Sequence, residues 1–91
     1  MSEPNLDEAV GELVTVLDVL ASLLQEIGEE RWAAWVEKSN RHLQNHDLYG
    51  ADHLLRAYGG MGSLNDIAAP SIDGPRTEAS ELARRIQRIS N

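Results

Sequence analysis

Between Val10 and Ile27 the apolar residues Val10, Leu13, Val14, Leu17, Leu20, Leu24 and Ile27 recur three and four apart. That is the period of a helix with one face turned inward. Nowhere does the chain alternate polar and apolar residues over a length useful for a strand, which leaves helix packed on helix as the way to build a core. The run is bounded at both ends. Asn5 and Glu8 have the spacing of a capping box, acids crowd the first turns as the helix dipole favours, and Gly28 marks the stop. A second set, Val16, Val19 and Leu23, falls on another side of the same helix. One stripe suffices for a surface helix. Two predict either a central helix or one whose second side meets another protein, a homodimer being one form of that.

The same period continues. Trp32, Trp35, Val36, Ser39 and Leu43 define the inner side of a second helix, and the two tryptophans read as core residues whose N–H groups need partners. Asn45-His46-Asp47 is the turn out of it, with Asp47 as N-cap of a third helix whose apolar side is Ala51, Leu54, Leu55 and Tyr58. Gly50 permits close helix approach, while Asp52 and His53 are expected to face outward. Ala68-Ala69-Pro70-Ser71-Ile72-Asp73-Gly74-Pro75 reads as a connector because of its prolines and glycine, with Ile72 pinning it to the core. Ala79, Leu82, Ala83, Ile86 and Ile89 then mark a last helix. The expectation is an all-α, single four-helix domain over residues 1–91, three core helices plus a C-terminal helix, at about 6–27, 30–45, 48–58 and 77–90, with a loop over 59–76.

Ninety-one residues suit one domain with a modest core. There is no cysteine, so disulfides and thiolate metal sites are excluded. The apolar run of the first helix is preceded by Glu3, Asp7 and Glu8 instead of by bases, unlike a secretory leader, and Asp18 with its amphipathic context argues against a membrane span. A cytoplasmic location is the default. The net charge is −7, unevenly spread: residues 1–30 hold eight acids and no Lys or Arg. Such a surface repels nucleic acid and attracts basic partners. Arg84, Arg85 and Arg88 suit the C-terminal end of the last helix and are placed to pair with the acidic first helix. Without interleaved aromatics they make a weak nucleic-acid footprint.

Few residues offer chemistry. Tyr58-Gly59-Gly60-Met61-Gly62-Ser63-Leu64-Asn65-Asp66 concentrates the special backbone geometry. On one reading Gly59 makes a left-handed helix cap, Met61 and Leu64 plug the core, and Asn65 or Asp66 holds the turn by bonding nearby backbone; on the other the stretch is an exposed surface of N–H groups that meets an anion or a protein partner. The segment lacks the Lys and Ser/Thr of a phosphate loop and follows a helix, not a strand. His42 and His46 are four apart, a spacing that serves a metal on a helix, but the turn at Asn45–Asp47 interrupts that face. Neither a metal ligand set nor a cofactor is expected. Nothing in the spacing brings Ser63, His53 and Asp66 together as a nucleophile, base and orienter.

Trp32-x-x-Trp35, Leu54-Leu55-x-x-Tyr58 and Gly-Gly-Met-Gly-Ser-Leu-Asn-Asp together resemble a family of small uncharacterised bacterial helical proteins, over about residues 20–67. Its members look like proteins of the toxin–immunity or accessory kind. That resemblance, with the charge asymmetry, implies a non-enzymatic protein-binding module, in its most concrete form an immunity-type protein against a basic toxin domain. The expected contact residues are Glu26, Glu29, Glu30, Met61, Ser63, Asn65 and Asp66. The alternatives are a small ligand-binding protein or enzyme using Asp47, Asp52, His53 and Asp66, or a helical protein that only self-associates.

Overall fold

The computed structural model describes residues 5–59 and 62–90. Four α-helices form the fold: α1 Leu6–Glu26, α2 Glu30–Gln44, α3 Tyr49–Leu55 and α4 Pro70–Ser90, with a short 3-10 turn at Leu64–Asp66. Each helix packs on the next, and α4 closes the ring by packing on α1. Cross-links fix alternating directions: Asp18 meets Asn40, Ser39 meets His53, and Asp52 meets Gln87. The result is an all-α bundle, with no strand among the described residues.

The core follows the apolar period. Leu13, Leu17, Leu20 and Leu24 of α1 are fully buried, each worth roughly 2 kcal/mol of transfer free energy. They meet Val36 and Leu43 of α2, Leu54 of α3, Leu64 of the loop, and Ile72, Ala83 and Ile86 of α4 in one cluster. Both ends of α1 are set as the sequence indicates. The Asn5 Oδ1 accepts from the Glu8 N–H at 2.7 Å. Gly28, at φ 84°, closes α1, with Glu29 N–H donating to the Leu24 carbonyl and Gly28 N–H to that of Gln25, the paired bonds of a Schellman motif. The same pair closes α2, from Asp47 to His42 and from His46 to Leu43. Here His46 takes the left-handed position at φ 61°.

Two boundaries differ from expectation. α3 stops at Leu55, not about residue 58, because Ala57 and Tyr58 donate three residues back to Leu54 and Leu55 in tight turns. α4 begins at Pro70, not near Thr77, and carries Pro75 inside it. Pro70 sits at the first helical position, where its missing N–H is one the helix leaves unpaired anyway. Pro75 removes only the bond to Ser71, whose residue is exposed to water. The supposed connector is therefore mostly helix, anchored by fully buried Ile72. Beside it the buried Arg76 guanidinium donates to the carbonyls of Leu64 and Ile67 at 2.8 and 2.9 Å and to Asp73.

Candidate functional site

The residues with the most chemistry meet between α2 and α3. The helices touch closely because position 50 is glycine: a Cβ there would lie 2.6 Å from the Ser39 carbonyl oxygen and 2.7 Å from Leu43 Cγ. His53, three residues on, shares that face. It is turned inward, only 6% exposed, against the expectation that it faces water. Its ring stacks on Trp35, centroids 4.1 Å apart and planes 15° apart. The Trp35 indole N–H donates to the His53 carbonyl at 2.8 Å. Ser39 Oγ lies 2.7 Å from His53 Nδ1 and also bonds the Trp35 carbonyl at 3.2 Å. Burial, with Lys38, His42 and Arg56 nearby, lowers the proton affinity of His53 below its ordinary value.

A Ser–His pair suggests a nucleophile and base, but this one is closed. Ser39 has no exposed surface, so no substrate atom reaches its hydroxyl. The carboxylates that could serve such a pair are engaged elsewhere. Asp47 accepts from the Tyr49 N–H at 3.1 Å and meets His42 Nδ1 at 2.9 Å. These contacts, led by the Tyr49 N–H, hold its carboxyl below the ordinary carboxylate range. Asp52 bonds Gln87 across to α4. Asp66 Oδ2 accepts the Gly62 N–H at 2.6 Å. Asp47, Asp52, His53 and Asp66 thus serve four different local tasks. An open groove of about 480 Å³ lies between Leu48, Tyr49 and Asp52 of the α3 side and Ile86, Gln87 and Ser90 of α4. Asp52 is the carboxylate of that lining, which among the described residues holds no Lys, Arg or His. Among the described residues no three His, Asp or Glu groups converge as metal ligands, and His46 is exposed, its backbone in the left-handed position of the α2 cap.

The glycine segment is a packed cap in its described part. Gly59 and Gly62 are left-handed at φ 85° and 74°. Leu64 is fully buried and its N–H donates to the Ala57 carbonyl at 2.8 Å. The carboxylate of Asp66 holds the turn, so the Gly62 N–H is taken by the loop's own anion. Ser63, expected to face a partner, is buried, because it precedes Leu64 where the chain dives into the core. Asn65 and Asp66 are exposed. Met61 lies outside the described residues. The Tyr58 hydroxyl donates to the Arg76 carbonyl at 2.7 Å, and burial pushes its phenol above the ordinary range.

Glu26 and Glu30 are exposed and Glu29 half-exposed at the α1–α2 turn. Among the described residues Arg76 pairs with Asp73 and the His42 ring meets the Asp47 carboxylate. The expected pairing of Arg84, Arg85 and Arg88 with the acids of α1 does not form; those acids are exposed, Asp18 also accepting from the Asn40 amide. Val19, outside the expected contact residues, is 48% exposed on the outer side of α1. The second apolar stripe was the signal for it.

A family model described as a domain of unknown function (DUF6966) matches residues 25–74. The chain belongs to that family. The match takes in α2, α3, the glycine loop and the first turn of α4, so the Trp35–Ser39–His53 cluster and Gly50 lie inside it. No curated protein and no solved structure matches the chain. No helix among the described residues is long and apolar enough to cross a membrane.

Proposed function

We propose that this protein is a non-catalytic protein-binding module, in its most concrete form an immunity-type protein that neutralises a basic toxin domain in the cytoplasm. The observation that carries the reading is the absence of internal neutralisation. Residues 1–30 hold eight acids and no Lys or Arg, and no acid of α1 is in an ion pair among the described residues. A field of one sign left open to solvent raises the encounter rate with a partner of the opposite sign. Glu26, Glu29 and Glu30, with Asn65 and Asp66, form the first contact set. The up-and-down order of the helices places the α1–α2 turn and the α3–α4 loop toward the same end of the bundle.

The test is binding to the protein encoded beside this chain, at low salt, with Glu26, Glu29 and Glu30 replaced together by alanine. Steering by these acids predicts a fall in affinity of at least about tenfold, mostly in association rate. An unchanged affinity would remove the main support. The second reading, self-association alone, is supported by the exposed Val19. Sedimentation across a concentration series decides it, since a monomer at all concentrations excludes it.

A further inference from the structure

The outer face of α1 carries a seam that the fold covers only in part. Glu12, Val16, Val19, Leu23 and Glu26 follow one another at steps of four, three, four and three. That is the spacing of one coiled-coil seam. Val16 and Leu23 are half-buried at the edge of the core, Val19 stands in water, and Glu12 and Glu26 are exposed at the two ends. The inner stripe of α1 already packs on α2 and α4, so the seam adds nothing to the core beyond its edges. From the helical rise, its two glutamates are about 21 Å apart.

Resting on the binding-module reading, we infer that this seam docks an amphipathic helix of another protein, with apolar residues at its centre and Lys or Arg flanking them. Charge decides between that occupant and a second copy of this chain. Laid antiparallel, a second α1 sets Glu12 against Glu26; laid parallel, it sets Glu12 against Glu12 and Glu26 against Glu26. Like charges across a helix pair disfavour both arrangements, and α1 has no base to relieve them. A basic helix brings opposite charge to both ends and leaves Val19 as the central anchor, where water is excluded.

Two synthetic peptides of about 20 residues, enough to span Glu12 to Glu26, share a leucine seam and differ in carrying arginine or glutamate at its flanks. Each is titrated into the full chain at low salt, with fluorescence anisotropy as readout and circular dichroism as a fold check. The arginine peptide is expected to bind at least about tenfold more tightly than the glutamate one, and Val19→Asp to weaken it by about tenfold or more. Glu12→Gln with Glu26→Gln is expected to narrow the difference between the peptides. Equal binding of the two peptides, or binding indifferent to Val19→Asp, overturns the proposal. So does a concentration-dependent dimer that Val19→Asp dissolves, since the occupant is then a second copy. Failure of the seam is separable from failure of the module. A neighbouring-frame partner that binds the Val19→Asp chain undiminished, yet is weakened by the Glu29 and Glu30 replacements, removes the seam and leaves the module.

Discussion

The α2–α3 contact and the outer face of α1 use their residues in opposite ways. Between α2 and α3 lie tryptophan, serine, histidine and glycine, side chains rich in chemistry, and nearly all of that chemistry is consumed internally. His53 is stacked, bonded and out of water. The outer face of α1 holds valine, leucine and glutamate, with little intrinsic chemistry, and leaves it uncovered. A reactive residue type is therefore a poor guide here. What separates structure from surface is whether a group's interactions are already satisfied.

That contrast can be broken at several points. The largest effect should come from Gly50→Ala. The added methyl would overlap the Ser39 carbonyl and Leu43, and forcing α2 and α3 apart should cost about 3 kcal/mol. Chemical denaturation measures it, and a cost below about 1 kcal/mol would mean that the close approach is soft.

The next effect concerns His53. Its proton affinity is lowered on folding, so the unfolded chain takes up the proton first. Stability should be lost as pH falls below the ordinary value of 6.5, continuing until the folded-state value is passed. Above 6.5 the group should add no pH dependence. His53→Phe keeps a ring against Trp35 and should flatten the curve between neutral pH and pH 5, roughly the span of histidine titration. Asp47 acts in a separate window. Its carboxyl is held below the ordinary 3.8, so its contribution is present above that value and is lost as pH falls through the folded one. A wild-type curve flat from pH 7 to about 5 would contradict the buried, neutral histidine.

Smaller still is His46→Gly, which relieves a left-handed residue at the α2 cap and should stabilise by about 1 kcal/mol. Smallest is Val19→Asp, expected to change stability by no more than about 0.5 kcal/mol, as surface positions do. A large loss there would show that the seam belongs to the core.

The sequence was a good guide where one local rule decided. The leucines of α1, the Asn5 cap, the Gly28 stop, the Asp66-held turn and the Ile72 anchor all follow from period or turn chemistry. It failed where tertiary packing overrode the local rule. Pro70 and Pro75 read as breaks, yet the first suits a helix start, and the second lies in a segment held by Ile72 and Arg76. His53 read as outward because histidine is polar. Gly50 on the same face was the available clue, since a missing side chain marks where helices come closest. Ser63 is expected as a contact residue with the rest of the Met61–Asp66 loop, but Leu64 draws it inward. The vacancy on α1 was visible as a second stripe, though the period alone could not say which stripe the bundle covers.

The most direct test is an amide chemical-shift map of the full chain during titration with the arginine-flanked helix. Shifts should gather on α1 from Glu12 to Glu26, while Ser39, Gly50 and His53 stay still. Shifts centred on the Trp35–His53 contact, or none at saturating peptide, would contradict a scaffold whose working surface is the acidic face of its first helix.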